Sequence, residues 1–133
     1  MNIKASLDTI ILYVHNVENL KSFYSQTFGF SLIDEYGSLW ALLEAGQGKI
    51  GLHKIGDQYL DKSKSSLKFN NNTKIVFEIH EDIAQVRTHL ISQNIAMRDI
   101  KTFDDYDFWL CDGEDPEGNV FQLKQKKFLY RPF

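Results

Sequence analysis

Cysteine is almost missing from this sequence. Cys111 is the only one among 133 residues, so no disulfide can close within the chain and no thiolate cluster can hold zinc or iron–sulfur, and a reducing compartment is expected. It sits in the apolar run Phe108-Trp109-Leu110-Cys111 and reads as a buried packing thiol rather than a nucleophile. Long apolar runs are missing too. Met1-Asn2-Ile3-Lys4-Ala5-Ser6 leads to a six-residue run, Thr9 to Val14, far short of a signal peptide or membrane span. A cytoplasmic location without a membrane partner is the expectation. Charge of one sign is also scarce: 15 Lys and Arg against 18 Asp and Glu leave a formal −3, spread too evenly for a nucleic-acid or anionic-membrane surface. The chain is 43% hydrophobic, 25% charged and 14% aromatic, which fits a globular fold and excludes a disordered one. At this length one domain can remove roughly two-thirds of its surface from water.

A repeat organises the rest. Ile10-Ile11-Leu12-Tyr13-Val14-His15 and Ile75-Val76-Phe77-Glu78-Ile79-His80 align at a spacing of 65 residues, each a β-rich run of strand length. A helix follows each. Asn16 can cap the first, with Val17, Leu20, Tyr24 and Phe28 at helical intervals and Gly29 as its left-handed stop; Glu81-Asp82 starts the second, with Ile83, Val86 and Leu90 on one face and Asn94 as its stop. Three strands are expected after each helix: 30–36, 39–44 and 49–54, then 95–102, 107–112 and 119–124. Gly37-Ser38, Gly46-Gln47-Gly48 and Asp115-Pro116-Glu117-Gly118 supply turns between them. Each half therefore reads βαβββ. Module one covers about 7–54, a polar linker 55–72, module two about 73–124 and a basic, aromatic tail 125–133. Neither half covers its own sheet, so both belong to one domain, packed together or swapped with a second chain.

At this point the sequence resembles the vicinal oxygen chelate superfamily, which includes the glyoxalases, extradiol dioxygenases, fosfomycin-modifying enzymes and bleomycin-resistance proteins. The resemblance is carried by Leu7-Asp8-Thr9-Ile10-Ile11-Leu12-Tyr13-Val14 with Val17-Glu18 and Phe23-Tyr24, by Phe28-Gly29-Phe30, and above all by Asp115-Pro116-Glu117-Gly118-Asn119-Val120-Phe121-Gln122-Leu123. It implies an α+β fold: two paired βαβββ modules forming a curled mixed sheet around a central cleft, with the helices on the outer face. Strand alternation then turns Thr9, Ile11 and Tyr13 toward the cleft, with Gly51 and His53, Lys74, Val76 and Glu78, and Val120, Gln122 and Lys124.

Metal-dependent members of that superfamily hold a divalent ion through His, Glu or Gln on four strands. Here the matching positions are Thr9, Gly51, Lys74 and Gln122. Threonine is a poor neutral ligand, glycine has no side chain and an ammonium repels a cation, so no metal and no other cofactor is expected. A displaced site from His53, Glu78 and Glu44 is the alternative; the blander reading makes His53 a lining group and Glu78 the counter-charge of Lys74. His15 and His80 read as junction or capping residues and His89 as solvated. Tyr13, Trp40, Trp109, Phe108, Tyr106 and Tyr36 lie on or near strands that border the expected cleft and offer stacking surfaces. The acidic run Asp104-Asp105-Tyr106-Asp107 with Asp112, Glu114 and Asp115 would, as a rim, favour cationic ligands.

The leading expectation is a metal-free protein that binds a small organic molecule and sequesters a drug or metabolite. Tyr13, Trp40 and Trp109 would stack on the ligand, and Thr9, His53, Lys74, Glu78 and Gln122 would orient it. The alternative is a lyase or dioxygenase with an atypical site, in which Glu78 and His53 act as general base and acid. A ligand-free scaffold module is the third reading. A homodimer is expected by analogy with the superfamily.

Overall fold

The computed structural model describes residues 1–4, 6–56 and 73–127. The expected linker, beyond its first two residues, and the end of the tail lie outside them. Two compact units divide the chain, Met1–Leu67 and Lys68–Phe133. The first contains β1 (Thr9–Val14), α1 (Val17–Phe28), β2 (Ser31–Tyr36), β3 (Trp40–Ala45) and β4 (Gly48–Lys54); the second contains β5 (Lys74–Glu78), α2 (Ile83–Ser92), β6 (Phe108–Glu114) and β7 (Val120–Lys126). The class is α+β, with one mixed sheet per unit.

Helix boundaries follow the chemistry of their ends. Asn16 caps α1 by accepting a hydrogen bond from the Asn19 N–H, and Asp82 caps α2 in the same way from Gln85. The capping role therefore belongs to these residues and not to the neighbouring His15 and His80. Gly29 ends α1 at φ 70°, and Asn94, 65 residues on, takes φ 63°. Between its ends α1 buries Val17, Leu20 and Tyr24, each worth about 1.5–3 kcal/mol if fully removed from water. On the sheet below, Leu12, Val14, Leu43 and Leu52 are buried.

In the first unit the strand order is β1-β4-β3-β2, with β1 parallel to β4 and the other pairs antiparallel. The second unit repeats this as β5-β7-β6, β5 running parallel to β7. Among the described residues it has no fourth strand. Residues 95–102, expected as a strand, lie alongside β6 but make only two isolated bridges, Met97 with Gly113 and Lys101 with Leu110. Three residues, 98–100, face two, Cys111 and Asp112, so the ladder carries a bulge. The Arg98 carbonyl accepts from Arg87 Nε at 2.8 Å and from the Cys111 thiol at 3.3 Å.

The closing turn forms as its residues require. Gly118 takes φ 82° and its N–H donates to the Asp115 carbonyl at 2.9 Å. The buried Asp115 carboxylate accepts from the Glu117 and Asn119 amides and from Asn119 Nδ2. That locks the entry to β7.

Candidate functional site

Each sheet has one face packed by its helix and one open face, and the candidate residues fall on the open faces by parity. In the first unit, the register sets Tyr13 beside His53 and His53 beside Trp40. The three rings form a row: Tyr13 and His53 centroids are 5.3 Å apart, Trp40 and His53 6.0 Å. Tyr13 is 58% exposed. His53 Nδ1 lies 2.8 Å from the Lys54 carbonyl; a carbonyl only accepts, so Nδ1 carries hydrogen and the Nε2 of the neutral ring is an acceptor. One row below is Gly51, between Ile11 and Leu42. A Cβ there would lie 2.8 Å from Cζ3 of Trp40 and closer still to Cη2, so the indole occupies the place of the missing side chain. Thr9, at the far end of β1, donates its hydroxyl to Asp8 at 2.6 Å, and Asp8 also accepts from Lys49 at 2.9 Å.

In the second unit the open face is ionic. The Asp112 carboxylate on β6 is 5% exposed. Its Oδ2 accepts from Lys74 Nζ on β5 at 2.8 Å, and its Oδ1 from Gln122 Nε2 on β7 at 2.9 Å. Arg98 and Lys101, from the bulged segment, place cationic nitrogens 3.5 and 3.9 Å from Oδ2. Burial alone pushes this carboxyl up; hydrogen bonds from Lys74 and Gln122 and the charges of Lys74 and Lys101 outweigh burial, so its pKa lies below the usual carboxylate value. Asp112 is the centre of this face, whereas the sequence marked it only as one acid of a rim that would favour cations. Glu78 faces Lys124 in register, four residues from Lys74 and roughly 13 Å along the strand. The counter-charge of Lys74 is therefore Asp112, not Glu78.

Trp109 is on the other side of β6. Alternation opposes it to Asp112, and its register partner Gln125 accepts a hydrogen bond from the Ile83 amide of α2. Lys127 Nζ sits 5.1 Å over the Trp109 ring. Trp109 therefore does not share a face with Lys74 and Gln122. On the face of Asp112, Lys124 Nζ lies 4.0 Å over Phe108. Cys111, also on the helix side, is buried, and burial pushes its thiol pKa up.

The four positions at which metal-dependent relatives would place ligands keep the internal symmetry of the chain. Thr9 and Lys74 are 65 residues apart, and Gly51 and Gln122 face Ile11 and Val76, also 65 apart. Their chemistry does not fit a divalent ion: the Thr9 hydroxyl donates to Asp8, Gly51 has no donor and Lys74 presents an ammonium held by Asp112. The displaced set fails within the first unit alone. Glu44 pairs with Lys49, and His53 lies four residues further along β4, roughly 13 Å away and too far to share an ion. Among the described residues no group of three or more His, Cys, Asp or Glu is placed to hold a metal. Among them, too, no helix is long and apolar enough to cross a membrane.

No protein-family model matches the chain, and neither does any curated protein sequence. Solved structures do match. A lactoylglutathione lyase from Agrobacterium tumefaciens superposes with a TM-score of 0.73 at 12% identity, over 93% of this chain and 96% of that one. An antibiotic-binding protein from a Streptomyces species gives 0.71 at 17% identity, over 96% and 100%. A virulence protein from Salmonella typhimurium gives 0.68 at 20% identity, over 94% and 99%. With near-complete coverage, two βαβ-led modules and a 65-residue internal repeat, the chain has the vicinal oxygen chelate fold, shared with that lactoylglutathione lyase and that antibiotic-binding protein.

Proposed function

We propose that this protein binds a small organic molecule without the help of a metal ion. The observation that carries the proposal is the open row of Tyr13, His53 and Trp40, an aromatic surface with an imidazole acceptor at its centre, the usual composition of a small-molecule platform. Support for metal independence comes from Lys74, which brings a positive charge and hydrogen-bonds Asp112 at a position where a chelating protein needs a donor. The antibiotic-binding neighbour supports sequestration of a drug or metabolite as the role. The chain acts as a homodimer in this proposal; β2, an edge strand exposed at all six positions, supports pairing.

The test uses Trp109→Phe, which leaves Trp40 as the only indole of the chain. Chelator-treated protein is titrated with a panel of aromatic drugs and metabolites while indole fluorescence is read. Saturable quenching is expected, and Tyr13→Ala should weaken it. A flat signal across the panel refutes binding. Quenching that requires an added divalent ion refutes metal independence and favours the enzymatic reading.

A further inference from the structure

We infer that the open face of the second unit, taken by itself, is a seat for an oxyanion, so that a small organic molecule held there carries a carboxylate, phosphate or phosphonate group; the inference rests on the proposed small-molecule binding. The sequence pointed the other way, toward a cationic ligand, because acids are dense between 104 and 115. Geometry reverses the sign. Asp104 and Asp105 form a turn, and Asp115 is consumed by its own loop. Asp112 is enclosed: one buried carboxylate holds Lys74, Arg98 and Lys101 within 3.9 Å of one oxygen.

One negative charge cannot satisfy three positive ones. Lys74 takes the short contact at 2.8 Å, and Arg98 and Lys101 remain at 3.5 and 3.9 Å. Arg98 also approaches Glu114 at 3.6 Å. Among the described residues neither the Arg98 guanidinium nor the Lys101 ammonium donates a hydrogen bond, and their side chains are 56% and 47% exposed. Two cationic groups are thus drawn together by carboxylates at ion-pair distances of 3.5–3.9 Å, with no short hydrogen bond holding their N–H donors. A second anion between them would accept charge-assisted bonds from both and relieve their mutual repulsion. Among the described residues of this unit, Lys74, Arg98, Lys101, Lys124 and, by strand parity, Lys126 stand against Asp112, Glu114 and Glu78 on this face, an excess of two positive charges. Arginine's fork suits a planar or tetrahedral oxyanion better than lysine alone would.

Isothermal titration calorimetry with phenyl phosphate and with benzyltrimethylammonium, an aromatic anion and an aromatic cation, tests this. Phenyl phosphate is expected to bind, more weakly as salt rises from about 0.02 to about 0.3 M. Arg98→Gln and Lys101→Gln should each weaken it about five- to ten-fold, and Lys21→Gln, a surface change in the first unit, should leave it unaltered. If benzyltrimethylammonium binds as tightly or more tightly, the oxyanion seat is refuted and the binding function stands. If phenyl phosphate binds but neither Arg98→Gln nor Lys101→Gln weakens it, the seat is refuted at this location. If neither compound binds, the seat is refuted, and the binding function is decided separately by the panel titration of the Trp109→Phe protein.

Discussion

Replacing Asp112 by Asn removes one negative charge and little volume, and the structure sets the size of its effect. Asn can still accept from Gln122 through its oxygen, but its amide nitrogen replaces the oxygen that receives Lys74 at 2.8 Å. A buried charged hydrogen bond contributes about 1.5–3 kcal/mol; because the Lys74 side chain is 39% exposed and can rehydrate, the lower part of that range applies, about 2 kcal/mol after solvent screening. For a chain of this length that lowers Tm by roughly 6–10 °C. The pH dependence identifies the cause. The folded pKa of Asp112 is depressed, so its contribution is fully present above the ordinary unfolded value of about 3.9 and is lost as pH falls through the folded value. Urea unfolding of both proteins followed by far-UV circular dichroism should show a constant gap from pH 7 down to about pH 5, closing at lower pH. Equal stability at pH 7, or a gap that persists unchanged at pH 2, would refute the assignment of Asp112 as the ionised centre of this face.

Gly51→Ala should displace the Trp40 indole and cost about 1–3 kcal/mol, visible as a shift of Trp40 emission in the Trp109→Phe background; an unchanged spectrum would contradict the close approach. Asn16→Ala removes the cap of α1 and is expected to cost about 1 kcal/mol in chemical denaturation without altering ligand affinity. Cys111, buried with a raised pKa, should react with a thiol reagent only at the rate of unfolding; rapid modification of native protein would show that the thiol is accessible. Sedimentation equilibrium should give a dimer, and a monomer at working concentration would exclude one.

The features legible in the sequence are those set locally. Positive φ at Gly29 and Asn94, the caps at Asn16 and Asp82, and the turn at Asp115 each depend on a few adjacent residues, and strand parity follows from the alternating pattern of β1 and β5. Harder to read were the features set by contacts across strands. A dense run of acids does not distinguish Asp112, under three cations, from Asp104 on a turn, because the difference lies in Lys74, Arg98 and Lys101, which come from other segments. Trp109 is one residue from the face of Asp112, and an aromatic near a strand is assigned a side only when the register is known. The segment 95–102 has strand-like composition, but its ladder is interrupted where the Arg98 carbonyl is captured by α2 and by Cys111.

That interruption protects the outer border of the second sheet. A regular border strand offers evenly spaced amides and carbonyls on which a foreign chain can template itself. Here the bulge breaks the spacing, Arg98 and Lys101 put positive charge along it, and one carbonyl is already taken twice. On this side a foreign strand finds no regular ladder to extend, so the segment that departs from ideal pairing acts as a guard against edge-to-edge addition.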